Sequence, residues 1–149
     1  MLFRSGSFYS TQDQSLTENA IGAVTFNNTD FNNDINIVSN SRITMVNAGK
    51  YNIAFSAQLH NNGGGGSGTT VNIWLAKNGT AIPDSNTRVT VNTNSPYVVA
   101  AWNFFVNASA NDYYELMWST TNADIQIDYE IAGTYPAIPS VILTVNQIG

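Results

Sequence analysis

With 149 residues and no cysteine, the chain has room for one domain with a substantial core and no disulfide framework or thiol-based zinc or redox site. Charged residues are only 10% of the total and the net charge is -5, which excludes the basic patch on which nucleic-acid affinity rests. No stretch approaches the roughly 18 apolar residues of a membrane span and the N-terminus lacks the apolar run of a signal peptide, so the expectation is a soluble chain outside the standard secretory route.

In chain order, the lead-in from Met1 to Leu16 is largely polar but carries the aromatic residues Phe3, Phe8 and Tyr9, which makes it a candidate arm or anchor. Asp30 and Asp34, among Asn27, Asn28, Asn32 and Asn33, read as a turn. Ile35 and Ile37 alternate up to Ser39-Asn40, and Ile43 and Met45 continue to the Asn47-Ala48-Gly49 turn. The strongest signal follows. Tyr51, Ile53, Phe55, Ala57 and Leu59 fall on one face of a strand and Asn52, Ser56 and Gln58 on the other. The glycine run Gly63 to Gly68 reads as a flexible hairpin tip, and Val71, Ile73 and Leu75 resume the alternation before the Asn78-Gly79 turn signal.

Val89 and Val91 mark a short strand. The segment from Tyr97 to Val106 is apolar on both faces: Val98, Ala100, Trp102, Phe104 and Val106 on one, Tyr97, Val99, Ala101 and Phe105 on the other. One face belongs to the core, and the second demands a cover of its own. After Asn111-Asp112 comes an aromatic strand from Tyr113 to Trp118. A further strand alternates Ile125, Ile127, Tyr129 and Ile131 with Asp124, Gln126, Asp128 and Glu130, and its acidic side is expected to face solvent. Gly133 to Pro139 is a connection, and Val141, Leu143 and Val145 close the chain opposite Ile142, Thr144 and Asn146. Roughly eight to ten short strands without a solenoid repeat predict an all-β sandwich or jelly roll spanning 1–149 as one domain.

Catalytic signals are weak. The single histidine, His60, has no carboxylate near it in sequence and reads as a solvated loop or strand-end residue. Gly65-Gly66-Ser67-Gly68 approaches a nucleophile elbow without a strand before it, and no lysine follows the glycine run as a phosphate loop requires. Asp112 with Glu115, and Asp124 with Asp128 and Glu130, are the carboxylates nearest to a calcium set, but no calcium loop pattern is present and the expectation is no cofactor and no metal. The N-x-[ST] sites at Asn27, Asn78 and Asn107 read as turn and loop asparagines. A surface of Asn, Thr and Ser offers many directional hydrogen bonds with little charge, which suits contacts with glycans or neighbouring proteins. Trp74, opposite Val71, Ile73 and Leu75, and Tyr9 are candidate stacking rings, with core or trimer packing the favoured role for Trp74.

Taken together and in order, GKY, FSAQL, NIWLAKNG, IPDSNT, VAAWNFFV, NDYYELMWS and the terminal PAIPSVILTVNQI, with GSFYSTQDQ near the start, resemble the complement C1q and tumour necrosis factor jelly roll. The likeness is greatest to the bacteriophage virion domains of that superfamily and covers nearly the whole chain, without a collagen-like stem. The resemblance implies a homotrimer in which three jelly rolls bury one sheet each around a threefold axis. It implies a non-enzymatic virion protein, a capsid decoration or fibre head assembled in a host cytoplasm, with itself and other virion proteins as partners. The candidate trimer-interface residues are Tyr97, Val99, Ala101 and Phe105. The alternative is an adhesion module that binds host-surface saccharide or protein through apex loops containing Asn61, Asn62, Asp84 and Asn86.

Overall fold

The computed structural model describes residues 3–63, 68–92 and 97–149. Among them the chain is all β: β1 (Ser5–Ser10), β2 (Gly22–Ala23), β3 (Asn28–Asn33), β4 (Ile35–Val38), β5 (Arg42–Met45), β6 (Gly49–Asn61), β7 (Thr70–Lys77), β8 (Thr80–Ala81), β9 (Thr87–Thr90), β10 (Tyr97–Ala108), β11 (Tyr113–Thr120), β12 (Ile125–Ile127) and β13 (Val141–Gln147). They form two antiparallel sheets. The first runs β10-β6-β13-β1-β3, with β12 also beside β6; the second runs β4-β5-β11-β7-β8, with β2 on β11 and β9 on β7. One apolar cluster fills the space between them, giving a sandwich.

Alternation decides which side chains enter that core. In β6 the buried set is Tyr51, Ile53, Phe55, Ala57 and Leu59, and in β7 it includes Val71, Ile73 and Leu75, so a single-residue slip of either strand would turn its apolar set outward. Turn chemistry sets the registers. Asn78 and Gly79, with φ of 50° and 85°, form the two-residue link between Lys77 and Thr80, and both central residues of such a hairpin require positive φ. Ser39 and Asn40 are likewise at positive φ in the turn from β4 to β5.

Three segments differ from the reading of the sequence. The lead-in is woven into the fold: β1 lies between β13 and β3, Phe8 is fully buried in the core, and Gln14 bridges to Ile127 and holds Thr25 at both backbone atoms. Residues 5–16 are therefore part of the sandwich, not a free arm, and Phe3, just before them, is strongly exposed. Asn28–Asn33 forms a strand despite its polar sequence, because it pairs with β1 at the sheet edge rather than burying an apolar face; Asp30 lies in this strand, while Asp34 forms the turn after it. The segment after Asp124 keeps its alternation only to Ile127. Asp128 is buried, its backbone N–H donates to the Gln58 carbonyl at 2.8 Å, and Ile131 is 82% exposed, so the acidic side does not uniformly face solvent. The tip of the glycine run, residues 64–67, lies outside the described residues.

Candidate functional site

Outward-pointing residues of the first sheet form a face whose composition is unusual for an exposed surface. β10 is its edge strand and pairs with β6 along its full length, from Tyr97 opposite His60 to Ala108 opposite Gly49. Tyr97, Val99, Ala101 and Phe105 all project outward from β10 and are exposed, at 52% for Tyr97, 59% for Val99 and 69% for Phe105. Their alternates Val98, Trp102, Phe104 and Val106 pack against the core, with Trp102 edge-on to Phe55 at 4.6 Å between ring centres.

The register extends this apolar edge into rows. Ala101, Ser56, Ile142 and Tyr9 lie side by side across β10, β6, β13 and β1; Asn103, Ala54, Thr144, Ser7 and Phe31 form the next row; and Phe105, Asn52 and Asn146 the one beyond. Ile142 and Phe31 are exposed as well. Across β1, β6, β10 and β13 the only Asp, Glu, Lys or Arg is Lys50, at the start of β6. The outer surface of the second sheet differs: Arg42, Glu115 and Arg88 interrupt it, Arg42 lying over the Tyr113 ring at 4.6 Å.

One corner of the first face is polar. His60, next to last in β6, stacks on Tyr97 with ring centres 4.0 Å apart, and its Nδ1 lies 3.7 Å from the Asp128 carboxylate. Gln126 donates to Asp128 at 2.6 Å and the Tyr97 hydroxyl donates to Glu130 at 2.7 Å, an acceptor that raises the Tyr97 pKa. His60 is thus a strand-end residue but not a solvated one. Its Nε2 is buried without a partner among the described residues, and β12 and the turn after it supply the carboxylate that local sequence lacks. No nucleophilic side chain completes a triad with this pair among the contacts described.

The loop candidates separate. Asn61 is fully buried; its amide donates to the Asn92 carbonyl at 3.2 Å and accepts from the Gly63 N–H at 3.2 Å, so it offers nothing to a ligand. Asn62 is exposed beside it. Asp84 and Asn86 line a different feature, an open cavity of about 500 Å³ on the outer side of the second sheet, together with Trp74, Asn72, Asn19, Ser119, Ile21, Ala81 and Ile82. Sequence reasoning found Trp74, Asp84 and Asn86 separately. It had no means of joining them to Asn19 and Ile21, because that contact depends on how the segment between Leu16 and β2 crosses the sheet.

The remaining carboxylates do not assemble. Asp112 accepts from Asn78 Nδ2 at 2.8 Å, the Ser109 N–H at 2.8 Å and Lys77 Nζ at 2.9 Å, whereas Glu115 accepts from the Ser41 hydroxyl at 2.7 Å. Among the described residues no three His, Asp or Glu side chains converge as a metal set. Asn107, read as a loop residue, lies within β10, where its carbonyl accepts from Lys77 Nζ at 3.3 Å. Compared with family models the sequence finds no match, and no curated protein matches it.

Proposed function

We propose that this chain is a non-enzymatic, self-assembling virion subunit in which three jelly rolls pack through the outer face of the first sheet. The observation that carries this reading is the charge-poor face of β10, β6, β13 and β1, with Phe105, Val99, Ile142 and Phe31 exposed on it. An apolar side chain fully buried at an interface contributes on the order of 1.5 to 3 kcal/mol, and a closed cyclic arrangement repeats that gain in each copy while leaving no apolar surface free. Aromatic and apolar groups at the centre with charge displaced to the rim is the composition of a stable interface. Wrapping β10 into such an interface also protects a long edge strand from uncontrolled pairing.

The path of the chain supports the jelly-roll reading. After β5 it passes to β6 in the first sheet, to β7 and β9 in the second, to β10 in the first, to β11 in the second, and returns through β12 and β13 to the first. The order of motifs that resembles phage virion domains supports the particle assignment. Antibodies raised against the purified chain test it directly: they label intact phage particles purified from the source culture in many copies, and particles that carry no label overturn the virion role.

A further inference from the structure

The cavity over Trp74 exists because the edge of the second sheet is interrupted. β8 pairs with Ala76 and Lys77 of β7, and β9 pairs with Thr70 to Ile73, leaving Trp74 and Leu75 without a neighbouring strand on that side. Ser85 fills the gap in backbone bonding: its hydroxyl accepts from the Leu75 N–H at 3.1 Å and reaches the Ile82 carbonyl at 2.8 Å. The chain between Ala81 and Thr87 therefore bows away from the sheet, and the half-buried indole of Trp74 lies in the space it leaves.

We infer that this cavity is a binding site for a neutral saccharide, with Trp74 as its stacking floor and Asp84, Asn86, Asn72, Asn19 and Ser119 as its polar rim. A pyranose ring presents an apolar C–H face and an equatorial belt of hydroxyls, and it needs a ring to lie on surrounded by carboxylate, amide and hydroxyl groups. The lining supplies both. No hydrogen bond or ion pair among the described residues engages the side chains of Asp84, Asn19 or Ser119, or the indole N–H of Trp74, and all four residues line the cavity. The rim is nevertheless held in place. Asn72 Oδ1 accepts from Asn86 Nδ2 at 3.2 Å and Arg88 Nε at 3.4 Å, and the Asn19 N–H donates to the Thr120 carbonyl at 2.8 Å.

The same lining disfavours other ligands. Its one formal charge is Asp84, and Arg88 reaches the rim only through Asn72 Oδ1 at 3.4 Å, so no excess of positive charge gathers there to hold phosphate, sulfate or an acidic sugar. Ile21, Ala81 and Ile82 are the apolar members of the lining beside the indole. A volume of about 500 Å³ is within the range of small-molecule sites and exceeds a single pyranose ring, which favours a short stretch of glycan. The site lies on the opposite sheet from the proposed assembly face. Its intrinsic affinity is independent of oligomeric state, although three linked copies would multiply avidity for a surface glycan.

Titration with lactose, cellobiose and N,N′-diacetylchitobiose, followed by isothermal titration calorimetry for every variant and also by the indole N–H resonance of Trp74 in NMR for the chains that retain it, tests the inference. At least one of these shifts that resonance saturably, Trp74→Ala weakens its binding at least tenfold, Asp84→Ala weakens it several-fold, and Trp74→Phe retains it. The Asp84→Ala arm stands even where Trp74→Ala fails to fold. No saturable shift with any of the three sugars overturns the site, as does binding that both alanine variants leave unchanged. Binding that survives in a variant unable to self-associate separates this result from the fate of the assembly reading.

Discussion

Asp112 shows how much structure one polar residue can organise at a turn. Hydrogen bonding from Asn78, then Lys77 and the Ser109 backbone, holds its carboxyl at about 2, below the ordinary 3.8, and the same contact raises the Lys77 pKa. Asn111, at φ of 67°, lets the chain reverse before Tyr113, and Asn78 accepts from the Tyr113 N–H at 2.9 Å while donating to Asp112, so two turns from distant parts of the chain lock together. A depressed carboxyl pKa stabilises the fold above the unfolded value and loses that contribution as pH falls toward the folded one. Asp112→Asn is therefore expected to cost about 2 kcal/mol near neutral pH, consistent with hydrogen bonds to a charged group. The gap between variant and wild type closes between about pH 4 and pH 2. Denaturant melts across that range check it; a gap that stays constant with pH contradicts the role given to the charge. The turn was legible in the Asn-Asp pair, but its partners Asn78 and Lys77 were not, because nothing in a period-two pattern says which hairpins meet.

At the scale of elements, strands whose faces differ were readable and strands held mainly by their neighbours were not. The alternation of β6, β7 and β13 named their core residues because one face is buried and the other wet, whereas in β11 the aromatic run marked a strand without assigning its faces. β3 escaped because a polar edge strand carries no such contrast, and β12 ended early because a buried Asp128 breaks the alternation through contacts with His60 and Gln126 that only the fold creates. β10 was legible in a stronger sense: apolar groups on both faces called for a second cover, and its outer face is uncovered in the single chain. Ala101, exposed at the middle of that face and beside Ser56, is the position to test. Ala101→Arg places an unpaired charge at the proposed interface without touching the core, so the variant is expected to fold with the circular dichroism of the wild type and to elute as a single chain in gel filtration. An Ala101→Arg variant that still co-elutes with the wild-type assembly contradicts the use of this face.

As a whole molecule the sandwich presents two unlike outer surfaces. One is charge-poor, slightly apolar and edged by a long exposed strand; the other is interrupted by Arg42, Glu115 and Arg88 and hollowed over Trp74. The two proposals fall on different surfaces, self-assembly on the first sheet and saccharide contact on the second. The lead-in illustrates what composition alone conceals: Phe3, Phe8 and Tyr9 look alike in sequence, but Phe8 enters the core, Tyr9 joins the row with Ile142 and Ala101, and Phe3 remains at the surface. The measurement that tests the central claim most directly is the native mass of the purified chain, by light scattering or native mass spectrometry in rising denaturant. The account predicts a species of three times 16.1 kDa that persists until the fold itself is lost. A stable species of 16.1 kDa at all concentrations contradicts it.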